Sequence, residues 1–142
     1  MKSLSQISSR ESITKIIEST PVKEMTIRTK YKGHSLLVTM PCWNEEGKVG
    51  HGVKSVPRDL VDCVCVVNNG SIDNTAIEAE EAGALVISHS VNLGAGGGIR
   101  TGLEYGRINN YDLLAVLAGD NQDDPNDLFK AVDKIIDEEL DY

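Results

Sequence analysis

Four short apolar segments alternate with stretches of helical character from residue 34 onward, and this alternation is the strongest constraint on the fold. Each helical stretch is long enough to serve as a crossover, which favours parallel strands joined by helices. The strand segments are almost continuously apolar, so we expect helices to cover both faces of the sheet. The pattern therefore predicts an α/β fold with three layers.

The predicted elements follow from apolar periodicity and from proline or glycine stop signals. The predicted strands cover residues 36–40, 61–67, 84–88 and 111–117, and the predicted helices cover residues 9–19, 45–56, 73–82, 99–108 and a segment from residue 125. Asp124 is suited to cap this last helix, with Pro125 at its first position. Its predicted buried face consists of Leu128, Ala131, Val132, Ile135 and Ile136.

Charge divides the chain into two parts. Residues 1–33 carry seven basic and three acidic side chains, a net charge of +4, whereas the remainder carries −12. We therefore expect a basic, helical N-terminal extension over residues 1–33 and an α/β domain over residues 34–142. The extension is either a solvated arm or a contact to an anionic membrane surface. The acidic domain would repel a nucleic-acid backbone, so no nucleic-acid partner is expected.

The three cysteines, Cys42, Cys63 and Cys65, form no C-x-x-C pair, which argues against a zinc site or a disulfide framework. Cys63 and Cys65 alternate along a predicted strand, so they are expected to share one buried face. The sequence contains neither an apolar secretory leader nor a run of about 20 apolar residues. A cytoplasmic location is expected, with peripheral attachment to the inner face of a membrane as an extension of it.

Polar, acidic or glycine-rich residues follow each predicted strand. They occupy residues 41–46, 68–73, 89–98 and 118–125. In an open parallel sheet the ligand lies just beyond the carboxyl ends of the strands, so these four tips should face one crevice. Their chemistry suits a nucleotide and a metal ion.

The glycine-rich run at residues 92–100 does not match a dinucleotide fingerprint. The G-x-G-x-x-G spacing fails in every register, and no G-K-[ST] follows, so an NAD-binding Rossmann domain and a P-loop are both disfavoured. Two interpretations stay open. The glycines allow backbone N–H groups to approach phosphates, or they allow a helix to lie close to the sheet.

The other tips offer oxygen ligands and an aromatic side chain. Asp120 and Gln122 follow the fourth strand, where carboxylate and amide oxygens suit Mg²⁺ or Mn²⁺. Trp43, the only tryptophan, is expected either to stack on a base or sugar or to pack against the protein. Asn68 either bonds a base or ribose or only shapes a turn. The three histidines, at positions 34, 51 and 89, are far apart in the sequence and indicate no metal set.

Taken in order, the four tips resemble motifs of family-2 glycosyltransferases, in particular the dolichol-phosphate mannosyltransferase-like group. The resemblance covers roughly residues 35–142. Residues 40–46 (MPCWNEE) resemble P-x-Y-N-E-E, residues 66–75 (VVNNGSIDNT) resemble V-V-D-D-G-S-T-D-N-T, residues 92–102 (NLGAGGGIRTG) resemble N-x-G-x-G-x-x-x-R-T-G, and residues 117–125 (LAGDNQDDP) resemble L-D-G-D-G-Q-x-D-P.

The resemblance implies a Rossmann-like, three-layer parallel sheet that forms the nucleotide-binding half of a GT-A type glycosyltransferase fold. It implies a UDP- or GDP-linked sugar as donor and an acceptor such as a polyprenyl phosphate. By the same resemblance, Pro41, Trp43 and Glu45 hold the base and ribose, and Asn68 takes the nucleobase-contacting position. The further nucleotide-binding positions that it implies are Gly70, Ala118 and Gly119.

The resemblance also implies a divalent cation, Mg²⁺ or Mn²⁺, bound by Asp120 with Gln122 beside it. Arg100 is implied to approach the phosphates. Ala118 departs from the family pattern, because it replaces the first acid of the D-x-D pair. Asn68 and Asn69 likewise replace two acids and keep hydrogen bonding without charge.

Two functions are therefore expected from the sequence. The first is a glycosyltransferase donor domain, and the alternative is a non-catalytic nucleotide-binding or regulatory module. No catalytic base is assigned, because the family's usual base belongs to the acceptor half. A missing half would leave apolar surface at the sheet edge, so self-association or poor solubility is expected, with a second copy or the missing C-terminal half as the partner.

Overall fold

A computed structural model describes residues 10–19, 31–119 and 124–138 of the chain. Helices and strands alternate through these ranges, as the sequence predicts. In chain order the elements are α1 (Arg10–Ser19), β1 (Leu36–Cys42), α2 (Val49–Ser55), β2 (Cys63–Asn69), α3 (Thr75–Glu81), β3 (Leu85–His89), α4 (Gly94–Ile108), β4 (Leu113–Val116) and α5 (Pro125–Asp137).

The four strands form one parallel sheet in the order β3-β2-β1-β4. Thr39 in β1 has Cys65 of β2 on one side and Val116 of β4 on the other. The chain adds β2 and β3 to one side of β1 and then crosses back to add β4 to the opposite side. The strand order thus reverses at β1, and ligands of such sheets bind beyond the carboxyl end of the strands at this point.

Two apolar clusters, one on each face of the sheet, confirm the three-layer prediction. The first cluster joins β1 and β2 to α2, α3 and α5, with Val49, Val53, Ala79, Leu128 and Val132 from the helices. The second cluster lies on the opposite face, beneath α1 and α4. It contains Leu37, Cys63, Cys65, Val67, Leu85, Ile87 and Ile17 of α1. The expected shared burial of Cys63 and Cys65 is confirmed.

Two predicted boundaries near the first strand are wrong. β1 continues through Pro41 and Cys42 instead of ending at Met40. Thr39 accepts a hydrogen bond from the Leu117 N–H on the β4 side (3.0 Å). Position 41 faces that same side, where β4 has already ended, so the absent proline N–H costs no ladder bond. α2 begins at Val49 and not at residue 45, because a turn with Gly47 at φ 87° precedes it.

The other predicted boundaries lie close to the observed ones, except for the start of one helix. β2 begins at Cys63, and Asp62 just before it accepts the Leu36 N–H through its side chain at 2.8 Å. α4 begins at Gly94, five residues before the predicted start, so the glycine run is part of the helix. On α5, Ala131 is exposed although its apolar character predicted burial.

α4 lies directly on β1 along a row of glycines spaced four residues apart. A Cβ at Gly98 would contact Pro41, one at Gly102 would overlap Thr39, and one at Gly106 would overlap Leu114 and press on Leu37. The contacted β1 residues, at positions 37, 39 and 41, alternate along one face of that strand. The helix therefore runs along β1 with its N-terminal turns near the carboxyl end of that strand.

β4 and β3 are the two edge strands of the sheet among the described residues, and apolar side chains on and next to β4 are exposed. Leu114 and Val116 have 39% and 43% of their surface accessible, and Leu103 on α4 has 36%. The apolar surface expected at the sheet edge is therefore present. Within residues 10–19, 31–119 and 124–138, no helix is both long and apolar enough to cross a membrane.

The close approach of α4 to β1 generates a stability prediction. Replacing Gly102 by alanine drives a methyl group into Thr39 and should destabilise the fold by about 1–3 kcal/mol, measured by urea denaturation. Gly96 is the matched control, because an added Cβ there meets nothing within 4 Å. Gly96→Ala should leave stability unchanged or raise it by up to about 1 kcal/mol. Equal stabilities for the two variants would contradict the contact.

Candidate functional site

A cleft of about 240 Å³ opens at the carboxyl end of β1, beside the tips of β2 and β3. Its lining carries no formal charge, and it combines an indole, two amides and apolar atoms. The lining residues are Pro41, Cys42, Trp43, Asn69, Asn92 and Ala95. Such a lining can stack on a planar ring and hydrogen-bond its edges. It suits a base or a sugar better than a bare phosphate group.

Trp43 is the first residue after β1, and 54% of its surface is accessible. Asn44 follows at φ 52°, a left-handed conformation that asparagine tolerates well. The Asn44 N–H donates to Ser71 Oγ (3.0 Å), and its side-chain oxygen accepts the Ile72 N–H (3.0 Å). The turn that carries the indole is thus held by the loop after β2, which leaves the indole at the cleft.

The loop after β2 and the start of α3 also cap the turn that leads into α2. The Glu45 N–H donates to Thr75 Oγ1 at 2.8 Å. Glu78 accepts the N–H groups of Gly47 (2.7 Å) and Gly50 (2.9 Å) through its two carboxylate oxygens. These N–H groups are therefore not available to a ligand phosphate. Sequence reasoning missed Glu78, because its partners lie about 30 residues earlier in the chain and no local motif joins them.

Asp73 completes this set of caps. It accepts the Glu46 N–H at 3.2 Å and bonds both the N–H and the hydroxyl of Thr75. The hydrogen bond from the Thr75 hydroxyl is the main cause that lowers the pKa of the Asp73 carboxyl. Asp73 is thus a structural acid that joins α2 and α3.

The two adjacent asparagines at the end of β2 have different environments. Successive residues of a strand point to opposite faces, so Asn68 and Asn69 diverge. Asn68 donates to Ser88 Oγ (3.2 Å) and accepts the Ser71 N–H (3.1 Å), which shapes the turn. Asn69 lies on the α4 side and lines the cleft. The cleft thus presents Asn69, whereas the sequence prediction selected Asn68.

Asn69 is the centre of a buried hydrogen-bond network. Its oxygen accepts the Leu93 N–H (2.9 Å) and faces His89 Nδ1 (2.8 Å). Its NH₂ group donates to Asn92 Oδ1 (3.1 Å) and to the Gly94 carbonyl (2.9 Å). His89 Nε2 lies 2.8 Å from Thr101 Oγ1 on α4. The network therefore fixes the turn between β3 and α4.

His89 was treated in the sequence as an isolated histidine, and the structure gives it a definite role. It continues the buried face of Leu85 and Ile87 at strand spacing, a signal that could have identified it as a core residue. Only 4% of its surface is accessible, and it does not line the cleft. Burial lowers the pKa of His89.

The glycines of the run at residues 92–100 have two different environments, which correspond to the two interpretations left open by the sequence. Gly98, Gly102 and Gly106 allow the close packing of α4 on β1. Gly94 (φ 80°) and Gly96 face open space, and the Gly94 N–H donates to Asn92 Oδ1 at 2.7 Å, whereas Leu93 supplies no side-chain cap. The first N–H groups of a helix lack intrahelical partners.

The remaining predicted site residues that the structure describes do not line the cleft. Glu45 is half-buried in the capped turn, and Arg100 is exposed on α4. Gly70 has φ 76° and lies so close to the turn after β3 that a Cβ would overlap Val91 and Asn92. Gly119 is buried against Cys42, where a Cβ would overlap the sulfur, whereas Ala118 is exposed.

Asp120 and Gln122, the predicted metal ligands, lie outside the described residues. Among the residues that are described, no group of three or more histidine, cysteine, aspartate or glutamate side chains could hold a metal ion. The contact of Gly119 with Cys42 brings the chain to the tip of β1 immediately before Asp120.

Comparison with known proteins gives one family and several relatives. The model of Glycosyl transferase family 2 matches residues 37–142. An uncharacterised protein of Methanocaldococcus jannaschii is 29% identical over 101 residues, which cover 71% of this chain and 42% of that protein. A UDP-N-acetylglucosamine–dolichyl-phosphate N-acetylglucosaminyltransferase of Methanococcus voltae is 27% identical over 124 residues, which cover 75% of this chain and 49% of that enzyme.

A solved structure has the same fold. Glucosyl-3-phosphoglycerate synthase from Mycobacterium tuberculosis, crystallised with Mn²⁺, UDP and phosphoglyceric acid, superimposes with a TM-score of 0.62 at 25% identity. The match covers 73% of this chain and 39% of that enzyme. The chain thus spans less than half the length of each of these relatives. Its GT-A type fold, predicted from the strand tips, is confirmed.

The buried histidine generates a prediction of pH-dependent stability. Because the folded state lowers the pKa of His89, the unfolded chain takes up a proton first as the pH falls through about 6.5. Stability is therefore expected to decrease as the pH falls below that value. Thermal unfolding of the wild type and of His89→Asn over this range measures the effect, since the variant lacks the group. If the melting temperatures of the two proteins changed with pH in parallel, His89 would not contribute to the pH dependence of stability.

Proposed function

Because the chain belongs to glycosyl transferase family 2, we propose that it is the donor-binding part of a glycosyltransferase that uses a nucleotide-diphosphate sugar. The observation that carries this proposal is the uncharged cleft at the tip of β1, with a half-exposed indole on one wall and Asn69 and Asn92 on another. The indole offers stacking, and the exposed Asn92 amide offers hydrogen bonds to a base and ribose, because the Asn69 amide is fully used within the protein.

We propose that Pro41, Trp43 and Asn92 contact the base and the ribose, whereas Asn69, whose amide makes four hydrogen bonds within the protein, holds the wall of the cleft in place. Glu45 and Asn68 belong to the turns behind them, where each makes hydrogen bonds within the protein. Gly70, Ala118 and Gly119 allow the neighbouring loops to approach the cleft closely. The donor is a UDP- or GDP-linked sugar, and UDP is favoured, because the similar M. tuberculosis enzyme was crystallised with UDP.

The diphosphate of the donor needs positive charge that the cleft lining lacks. We propose that a Mg²⁺ or Mn²⁺ ion bound by Asp120 and Gln122 supplies it and neutralises the leaving group. The N-terminal turn of α4 around Gly96 is a second source of attraction, because helix N-termini favour anions and the space beside Gly96 is open, while Asn92 Oδ1 already accepts the Gly94 N–H. Arg100, exposed on the same helix, adds a third.

The acceptor is proposed to be a polyprenyl phosphate at a membrane surface. The named M. voltae relative transfers to dolichyl phosphate and supports this choice. More than half of each relative lies outside the region shared with this chain, so acceptor recognition and a catalytic base are proposed to need additional polypeptide. The exposed apolar edge at Leu114 and Val116 is a suitable contact for this additional polypeptide, or for a second copy of the chain.

Residues 34–142 are proposed as the donor domain, with residues 1–33 as its basic extension.

One residue favours a second candidate function, a non-catalytic nucleotide-binding module. Ala118 is an exposed alanine where the family motif carries an acid, which removes one charged contact to the ribose or the metal. Under this alternative the protein binds nucleotide but transfers no sugar, even when an acceptor half is supplied. Sugar-transfer assays with dolichyl phosphate and with 3-phosphoglycerate as acceptors separate the two functions.

Nucleotide binding is the first prediction of the proposed function. UDP or GDP with Mn²⁺ should quench the fluorescence of Trp43, the only tryptophan, and raise the melting temperature. At about 100 times the dissociation constant, the stabilisation is expected to be roughly 2.7 kcal/mol. NADH should have neither effect. Tight NADH binding, or no response to any nucleotide, would contradict the donor-domain proposal.

Metal dependence is the second prediction. Asp120→Asn removes one carboxylate charge and should abolish the Mn²⁺-dependent part of nucleotide binding, measured by the same fluorescence titration with and without EDTA. Asp124→Asn is the matched control, because Asp124 lies just before α5 and asparagine caps helices as well as aspartate. Unchanged Mn²⁺ dependence in Asp120→Asn would show that the metal assignment is wrong.

A further inference from the structure

We propose that His89 is a positioning residue for the nucleotide cleft, holding the Asn69 amide in the orientation that shapes the turn at residues 92–94. This inference rests on the proposed donor site, because that turn forms one wall of it. His89 is the last residue of β3 and is almost completely buried. It makes no contact with the cleft itself, so its effect must pass through Asn69.

The hydrogen-bond partners of Asn69 determine which ring nitrogen of His89 carries a proton. The Asn69 NH₂ group faces two acceptors, Asn92 Oδ1 and the Gly94 carbonyl. Its oxygen must therefore be the atom that faces His89 Nδ1 at 2.8 Å. A carbonyl oxygen can only accept, so Nδ1 carries the proton and donates. In the neutral ring Nε2 then carries no proton, so the single proton of the Thr101 hydroxyl is shared between Nε2 (2.8 Å) and the Gly97 carbonyl (3.1 Å).

Asn69 uses all of its hydrogen-bonding capacity in this arrangement. Its oxygen accepts twice, from His89 and from the Leu93 N–H, and its nitrogen donates twice. A rotated amide would set its NH₂ group against two donors and its oxygen against two acceptors. The His89 donor and the Leu93 N–H thus select one orientation together, and neither faces water as a substitute.

The consequence for the cleft follows from the position of the turn. Asn69 and Asn92 both line the cleft, and Ala95 lies one residue beyond the segment that Asn69 binds. His89 also bonds Thr101, two helical turns from the start of α4. The His89 side chain therefore links β2, β3 and α4 behind the wall of the cleft. If the Asn69 amide lost its fixed orientation, ligand affinity would change without disruption of the core.

Two substitutions separate this positioning role from a general packing role. An asparagine at position 89 places its NH₂ group near the location of Nδ1 and can still donate to Asn69. A glutamine reaches towards the location of Nε2 and loses that bond. His89→Asn should retain UDP–Mn²⁺ affinity within about threefold, whereas His89→Gln should weaken it by about three- to tenfold. His51→Asn, on the exposed side of α2, is the matched control and should change nothing.

Amide hydrogen exchange at Leu93 tests the same inference without a ligand. Its N–H depends on the Asn69 oxygen, so exchange should accelerate in His89→Gln and stay close to the wild-type rate in His89→Asn. If neither variant folds, Thr101→Val takes their place, because it keeps the Nδ1 bond and should leave Leu93 exchange unchanged. Equal effects of asparagine and glutamine, on both affinity and exchange, would overturn the positioning role.

The two measurements also separate the failure of this inference from the failure of the proposed function. If the wild type bound neither UDP nor GDP but the two variants differed in Leu93 exchange as expected, the donor site would be rejected. The hydrogen-bond network of Asn69 and His89 would be retained. Normal nucleotide binding with no difference between the two variants in affinity or in exchange would keep the donor site and reject the role of His89.

Discussion

The close contact between α4 and β1 determines where the other parts of the site can lie. Three glycines at four-residue spacing bring the helix axis against alternate residues of the strand, with no side chain between them. Any larger residue at Gly102 would overlap Thr39 and push the helix outward. Because α4 connects β3 to β4 across the sheet, its position also fixes the edge strand and the N-terminal turns that reach the cleft.

Most polar side chains at the strand tips hold loops together. Asp73, Thr75 and Glu78 occupy the backbone N–H groups in front of α2, and Asn69 and His89 hold the turn before α4. Buried or half-buried N–H groups need such partners, because unpaired ones cost free energy. These hydrogen bonds hold the loops in place. The surface of the cleft itself consists of a few uncharged residues around Trp43.

The separation of loop-supporting side chains from the uncharged cleft lining has a chemical consequence. An uncharged cleft can recognise a base and ribose, but it cannot balance the charge of a diphosphate. In the proposed donor site the attraction for phosphate comes from the surrounding chain, for which the start of α4, Arg100 and the metal ion at Asp120 are the proposed sources. The GT-A fold brings Gly119 and the start of α4 to one end of the sheet, because all four strands are parallel and end there.

Sequence periodicity alone determined the alternation of elements, the parallel sheet and its two helical layers. These properties depend on which residues are apolar, and every predicted strand and helix is present in the structure with shifted ends. The strand tips also identified the family, since the order of four motifs survives single substitutions such as Ala118. Boundaries were less accurate, because local stop signals compete with contacts elsewhere. Pro41 stays in β1 only because β4 has ended beside it.

Only the tertiary structure decided which polar residues line the cleft and which support the loops. Asn68 and Asn69 are chemically identical and adjacent, yet the strand directs one to a turn and the other to the cleft. Likewise the glycines of one run divide between packing on β1 and open space before α4. The physical reason is that a side chain's role depends on partners far away in sequence. Apolar burial, in contrast, follows from the spacing of nearby residues.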